Sequence, residues 1–147
     1  MGAPHGVCGY ALGALDSERF YARLVQDWFK PLRPKLTDPG PDKAQWKGSD
    51  WARHLILYED FAMAPPLLPY PSHVHIDLLP AAQGRGFGRM LMTHLLQQLA
   101  AAGSPGVHLG VSPVNRNARA FYHKLGFERL AGAGIAPDAV YLARRLP

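Results

Sequence analysis

Three observations predict a mixed α/β fold built on one sheet. Short alternating apolar runs of strand type recur at residues 7–14, 73–79 and 107–111. Longer runs with helical apolar spacing follow the second and third of these, at residues 86–102 and 115–126. A glycine-rich turn, Gln83-Gly84-Arg85-Gly86-Phe87-Gly88, joins a strand directly to a helix. Strands and helices interleaved in this way belong around one central sheet. A length of 147 residues predicts a single domain, 1–147.

Each element has its local reason. Residues 7–14 read as a strand weakened by two glycines. Asp16 or Ser17 can cap the helix that follows. That helix puts Phe20, Leu24 and Trp28 on one stripe with Tyr21 and Val25 beside it, and Pro31 ends it. Residues 31–72 are a long connection rich in Pro and Trp. Within it, 37–40 is turn material, Ser49 or Asp50 can cap a short helix carrying Trp51, Leu55 and Tyr58, and 65–71 is extended and rigid. Residues 73–79 form the next strand. The helix after the glycine turn carries Phe87, Leu91, Leu95 and Leu99, widened by Met92 and Leu96, and Gly103 caps its end. Val107, Leu109 and Val111 alternate as a strand. Asn115 or Asn117 opens a helix that Gly126 stops, and residues 127–130 and 139–146 close the chain as strands.

Composition narrows the function. Hydrophobic residues make up 48%, enough for one core, and charged residues only 18%, which argues against a disordered chain. The lone cysteine, Cys8, excludes an internal disulfide framework and any cysteine-only metal site, and it fits a reducing, cytoplasmic setting. No run of 18 apolar residues predicts a membrane span, and no basic-then-apolar leader predicts secretion. A net charge of +5 favours an acidic ligand or partner. No basic run interleaved with aromatics points to nucleic acid.

The glycine loop carries the chemistry. Glycine permits positive φ in a tight turn and lets a ligand touch the backbone. The N–H groups freed at a helix start, with the positive end of the helix dipole, hold an anion. Arg85 and Arg89 can add charge-assisted contacts. A dinucleotide fingerprint would need glycine where Arg89 stands, and a P-loop would need Gly-Lys-Ser/Thr, which is absent. Gln83, Gly86 and Gly88 instead match Gln-x-x-Gly-x-Gly. One helix and one strand later, Asn115, Ala118, Tyr122, Gly126 and Phe127 match Asn-x-x-Ala-x-x-x-Tyr-x-x-x-Gly-Phe. Ala118, Tyr122 and Leu125 share one helix face.

These two motifs, in this order, resemble those of the GNAT (Gcn5-related N-acetyltransferase) superfamily, over about residues 72–146. Residues 8–13, the long connection, and residues 103–107 on through the tyrosine helix also resemble the acetyltransferase-like C-terminal domain of O-GlcNAcases. The eukaryotic versions of that domain lack an intact glycine loop, whereas this chain keeps Gln83 to Gly88. The resemblance implies a central, largely antiparallel sheet, splayed between residues 73–79 and 107–111 and flanked by helices, and here N-terminally shortened. It implies acetyl-CoA as cosubstrate, with backbone N–H groups of Leu78 and Leu79 on the acetyl and pantetheine carbonyls. Gln83, Gly84, Arg85, Gly86, Phe87, Gly88 and Arg89 would hold the pyrophosphate, Asn115 and Phe121 would contact the far side, and Tyr122 would protonate the departing thiolate.

The expected reaction is direct acetyl transfer to an amine, without an acyl-enzyme and without a metal. Asp77, His75 and His73 share one strand face by alternation and are candidate bases, with Asp77 placed first. Glu59 and Asp60 are further candidates, as base or as acceptor-binding groups. The first strand has little before it where the family places helices that wall the acceptor. Trp46, Trp51, Tyr58 and Phe61 in the long connection are the expected substitute, or a second copy covers the sheet as a homodimer. The alternative function is a non-catalytic acetyl-CoA-binding module. The acceptor is an amine whose identity the sequence does not encode.

Overall fold

The computed structural model describes residues 2–3, 6–59, 61–132, 134–135 and 139–147. Asp60, one candidate base, lies outside the described residues. The chain divides into two compact units, Met1–Ser17 with Met63–Pro147, and Glu18–Ala62.

The first unit holds the sheet. A two-residue pair, β1 (Gly2–Ala3) and β2 (Gly6–Val7), precedes β3 (Gly9–Ala14). Helix α1 (Ser17–Arg23) begins on the last residue of this part. In the second unit a π turn (Leu24–Phe29), the short α2 (Lys30–Leu32) and α3 (Asp50–Tyr58) follow. Back in the first come β4 (Ser72–Leu78), α4 (Phe87–Ala101), β5 (Gly106–Val111), α5 (Arg116–Lys124), β6 (Glu128–Arg129) and β7 (Val140–Arg145). The sheet order is β3-β4-β5-β7-β6; β4 and β5 run parallel and every other pair is antiparallel. The expected mixed, largely antiparallel sheet flanked by helices is therefore what forms.

The core lies between this sheet and the two long helices. Val74, Val107, Leu109, Val111 and Leu142 of the strands meet Met92, Leu96 and Leu99 of α4 and Tyr122 and Leu125 of α5. The buried line of α4 runs Gly88, Met92, Leu96, Leu99, so Phe87 and Leu91 stand at its flank rather than its centre. Leu95 sits over Gly13 of β3, where a Cβ would come within 3.0 Å of it. Gly103, at φ +88°, stops α4, and Ser104 donates its amide to the Leu99 carbonyl at 3.0 Å. Gly126, at φ +78°, stops α5 in the same way, with the Phe127 amide returning to the Tyr122 carbonyl at 3.1 Å.

The second unit departs from its predicted phase. Pro31 does not end the first helix but sits inside α2. The preceding π turn, closed by the Lys30 amide on the Val25 carbonyl, widens the backbone just before a residue that has no N–H to offer. The extra residue also rotates the stripe. Phe29 is buried, while Trp28 is left 67% exposed. Three of the four aromatic side chains expected to wall an acceptor are engaged within this unit. Trp46 donates from Nε1 to the Gly40 carbonyl (3.0 Å) and packs on His54, His54 packs on Tyr58, and the Tyr58 hydroxyl bonds Asp38. Phe61 stacks on Tyr21 with centroids 4.8 Å apart, and Trp51 is exposed.

Candidate active site

The site begins with a break in the sheet. Strand β4 is paired to β3 along its length, from Ala14↔His73 to Gly9↔Leu78, and β5 is paired to β7 along its length. Between β4 and β5 the ladder holds only at Ser72↔Val107 and His73↔His108. Beyond that point residues 74–78 and 109–111 run on without pairing each other. A V-shaped gap opens there. Alternate N–H and C=O groups along its two edges face inward without a ladder partner.

Two histidines close the foot of the V. The Ser17 hydroxyl donates to the Pro71 carbonyl (2.7 Å), so its other contact, at 2.8 Å, is accepted from His73 Nδ1–H. His108 Nδ1–H donates to the Tyr70 carbonyl (2.7 Å). Burial, and then the neighbouring His108, lower the His73 pKa to about 4. Burial also lowers His108, against the backbone hydrogen bonds that favour its charged form. Both rings are neutral at neutral pH. His75 is exposed and lies by the Tyr10 ring, at 5.8 Å between centroids. Of the three candidates on this strand, Asp77 alone lines the cavity at the mouth of the V.

The glycine loop caps the open end. Leu79 gives its amide to the carbonyl of Cys8, the residue just before β3 (2.9 Å), so that donor is committed on the β3 side. By alternation the donors on the gap side are those of Leu78 and Ile76. Gln83 reaches back from Nε2 to the Leu78 carbonyl at 2.9 Å, which ties the loop to the strand end. Gly84 and Gly86 take φ of +71° and +83°, with open space where a Cβ would stand, so backbone conformation is what demands glycine there. Gly88 differs. A Cβ on it would come 3.3 Å from the Phe121 ring and 3.4 Å from Leu78, so it lets α4 approach both. The amides of residues 84–89 make no backbone hydrogen bond among the described residues, and the last three open α4. Arg89 lines the cavity, whereas the Arg85 guanidinium lies over the Phe87 ring at 5.4 Å, and neither Arg85 nor Phe87 lines it.

Helix α5 supplies the opposite wall. Asn115 is its N-cap and accepts the Ala118 amide on Oδ1 at 3.0 Å, which leaves its side-chain NH2 for the cavity. Tyr122 is 7% exposed, held edge-on between Phe121 and Phe127. Its hydroxyl has no hydrogen bond to the described residues, and none of their buried polar side-chain atoms is left unpaired. The hydroxyl therefore meets the cavity. Burial, and then the charge of Asp77, raise its pKa, so the phenol keeps its proton at neutral pH.

One cavity of about 610 Å³ thus gathers Asp77, Leu78, Gln83, Gly84, Gly86, Gly88, Arg89, Asn115, Phe121 and Tyr122, and leaves out Leu79, Arg85 and Phe87. It also includes Ile76, Asn117 and Lys124, which the sequence reading did not place at the site. The last two had a signal, since Asn117, Phe121 and Lys124 recur at i, i+4 and i+7.

The chain belongs to the acetyltransferase (GNAT) family, whose model matches residues 17–127. It is similar to protein O-GlcNAcase of Rattus norvegicus, at 31% identity over 96% of this chain and 16% of that protein. It is also similar to mycothiol acetyltransferase of Gordonia bronchialis, at 50% identity over 81% of this chain and 35% of that protein. The chain therefore spans only a minor part of either relative. Among solved structures it is similar to SsHAT, at 36% identity and a TM-score of 0.79, over 97% of this chain and 68% of that one. The described residues contain no helix long and apolar enough to cross a membrane.

Proposed function

We propose that this domain moves an acetyl group from acetyl-CoA directly to an acceptor amine. The observation that carries the reading is the V between β4 and β5, with six unengaged loop amides near one end and the unpartnered Tyr122 hydroxyl in the same cavity. The amides of residues 84–89 and the Arg89 side chain hold the pyrophosphate. The gap-side N–H groups of Ile76 and Leu78 bind the pantetheine and acetyl carbonyls, and polarise the thioester as oxyanion donors do, a contribution of ~3 kcal/mol per donor. The side-chain amides of Asn115 and Asn117 contact the cosubstrate from the far wall.

Asp77 accepts the proton that the incoming amine must lose. The amine nitrogen bonds to the acetyl carbon, the carbon–sulfur bond breaks, Tyr122 gives its proton to the sulfur, and the second proton shed by the new amide nitrogen restores the phenol. The raised pKa of Tyr122 keeps the proton on the phenol at neutral pH, available to the sulfur once negative charge develops there. Cys8, the single thiol, is not among the lining residues, which supports transfer without an acyl-enzyme. The cytoplasm is the compartment proposed for the reaction.

The test is to incubate the protein with acetyl-CoA and a panel of amines and to follow thiol release, alongside calorimetric binding of acetyl-CoA. Amine-dependent release is the expected outcome. Tight binding with no release under any amine would make this a binding module, and absence of binding would remove the reading altogether.

A further inference from the structure

The face of the sheet that carries Asp77 is open at its β3 edge. Helix α4 packs on the other face, over Gly13 and against Leu78. Antiparallel partners point to one side, so Tyr10 stands beside Asp77, and Leu12 beside His75, on the Asp77 face. The Tyr10 and His75 rings meet with centroids 5.8 Å apart. Tyr10 is 45% exposed and Leu12 60%, and His75 and Asp77 are exposed with them. Asp77 also lines the cavity that holds Tyr122. This apolar shelf therefore adjoins the point where the acetyl-transfer reading puts the acceptor nitrogen.

The charge on the shelf is negative and single. Residues 1–18 and 54–84, which include both strands, contain no lysine or arginine, although the chain carries +5 overall. Asp77 is the one carboxylate in β3 and β4. The cations of the cavity, Arg89 and Lys124, belong to α4 and α5. An ammonium on the shelf is attracted by the carboxylate and by the ring faces. A carboxylate beside that ammonium meets no lysine or arginine of these strands and is repelled by Asp77. A second ammonium finds no second acid on them. A second copy of the chain fits less well, because a two-fold interface uses the same patch twice and this patch has no lysine or arginine to meet Asp77.

We propose, on the acetyl-transfer reading, that the acceptor is a primary monoamine with an apolar or aromatic body and no carboxylate beside the amine. Its ammonium meets Asp77 and its body lies on Tyr10, Leu12 and His75. The aromatic edge and aliphatic side chain recognise the body, and the carboxylate recognises and deprotonates the head.

The test follows thiol release from acetyl-CoA with methylamine, phenethylamine, phenylalanine and spermidine. Phenethylamine should exceed each of the other three in kcat/KM by at least about tenfold, since methylamine lacks the body, phenylalanine adds a carboxylate and spermidine adds charge. In Tyr10→Ala/Leu12→Ser, at two exposed positions, the ratio of kcat/KM for phenethylamine to that for methylamine should fall at least about tenfold. Acetyl-CoA affinity should stay the same in that variant. The proposal is overturned, with the acetyl-transfer reading intact, if phenylalanine or spermidine matches phenethylamine, or if the ratio is unchanged in the variant. A dimer in sedimentation that the same variant splits would give the shelf to a second copy and overturn it too. No release with any amine overturns the acetyl-transfer reading itself, and this proposal with it.

Discussion

Strand β5 treats its two neighbours differently. Against β7 it makes six consecutive pairs, from Gly106↔Arg145 to Val111↔Val140, and against β4 only two. On the β7 side the backbone is satisfied internally, and Leu109 and Val111 are free to serve the core. On the β4 side the same strand leaves backbone groups facing a gap. Buried backbone donors and acceptors are nearly always paired, so an opened ladder calls for a partner from outside the chain. Binding capacity is created by withholding pairing along one edge of an otherwise complete sheet.

The sharpest way to break this comparison is to leave the gap intact and remove only the acid within it. Tyr122→Phe keeps the ring contacts with Phe121 and Phe127 and deletes a hydroxyl that no described residue holds. Turnover should fall by ~10²–10⁴ while acetyl-CoA affinity and melting temperature stay the same. Unchanged turnover would mean that the gap binds but that the phenol supplies no proton.

A smaller effect is expected from the loop that caps the gap. Gly86→Val forces a β-branched residue to φ near +83°, at a strain of about 1–3 kcal/mol, and so shifts the loop that carries the amides of residues 84–89. Acetyl-CoA should bind at least about tenfold more weakly by calorimetry. Gly88→Ala, where the obstacle is the Phe121 ring, should instead lower the melting temperature more than the affinity. Equal behaviour of the two variants would erase the distinction between a conformational glycine and a packing glycine.

Much of the open edge is legible in the sequence because its requirements are local. Positive φ at Gly84 and Gly86, the Asn115 cap and the Met92, Leu96, Leu99 repeat each leave a mark within a few residues. The paired motifs around Gln83 and Tyr122 carry the rest. What the sequence hides depends on distance or on phase. Ser17 reads as a cap, yet its hydroxyl holds His73, 56 residues away. Leu79 looks like a gap-side donor, and only the neighbouring strand reveals that Cys8 takes its amide. The π turn moves burial from Trp28 to Phe29 because one extra residue per turn cannot be seen in a period of 3.6.

The foot of the V offers a prediction about pH. His73 is neutral in the folded chain, with its pKa lowered from 6.5 to about 4, and His108 is lowered in the same direction. The unfolded chain therefore binds more protons between these values. Stability is complete above about pH 6.5 and is lost progressively as the pH falls toward about 4. With allowance for the solvent that the His73 ring still meets, its share is on the order of 1–2 kcal/mol. Urea denaturation from neutral pH down through this window should follow that slope, and His73→Gln should flatten it. A slope unchanged in the variant would place the acid sensitivity elsewhere.

The smallest effect separates two roles of one residue on the far wall. Asn115 uses its side-chain oxygen to cap α5 and has its NH2 left for the cavity. Asn115→Ala removes both and should cost about 1 kcal/mol of stability, read as a lower melting temperature. Asn115→Ser keeps an oxygen that can accept the Ala118 amide but has no side-chain amide to offer the cosubstrate. The serine variant should therefore recover most of the melting temperature and none of the lost acetyl-CoA affinity. If affinity returns together with the cap, Asn115 acts on the gap only by fixing where α5 begins, and the wall facing β4 binds through Asn117, Phe121 and Tyr122 alone.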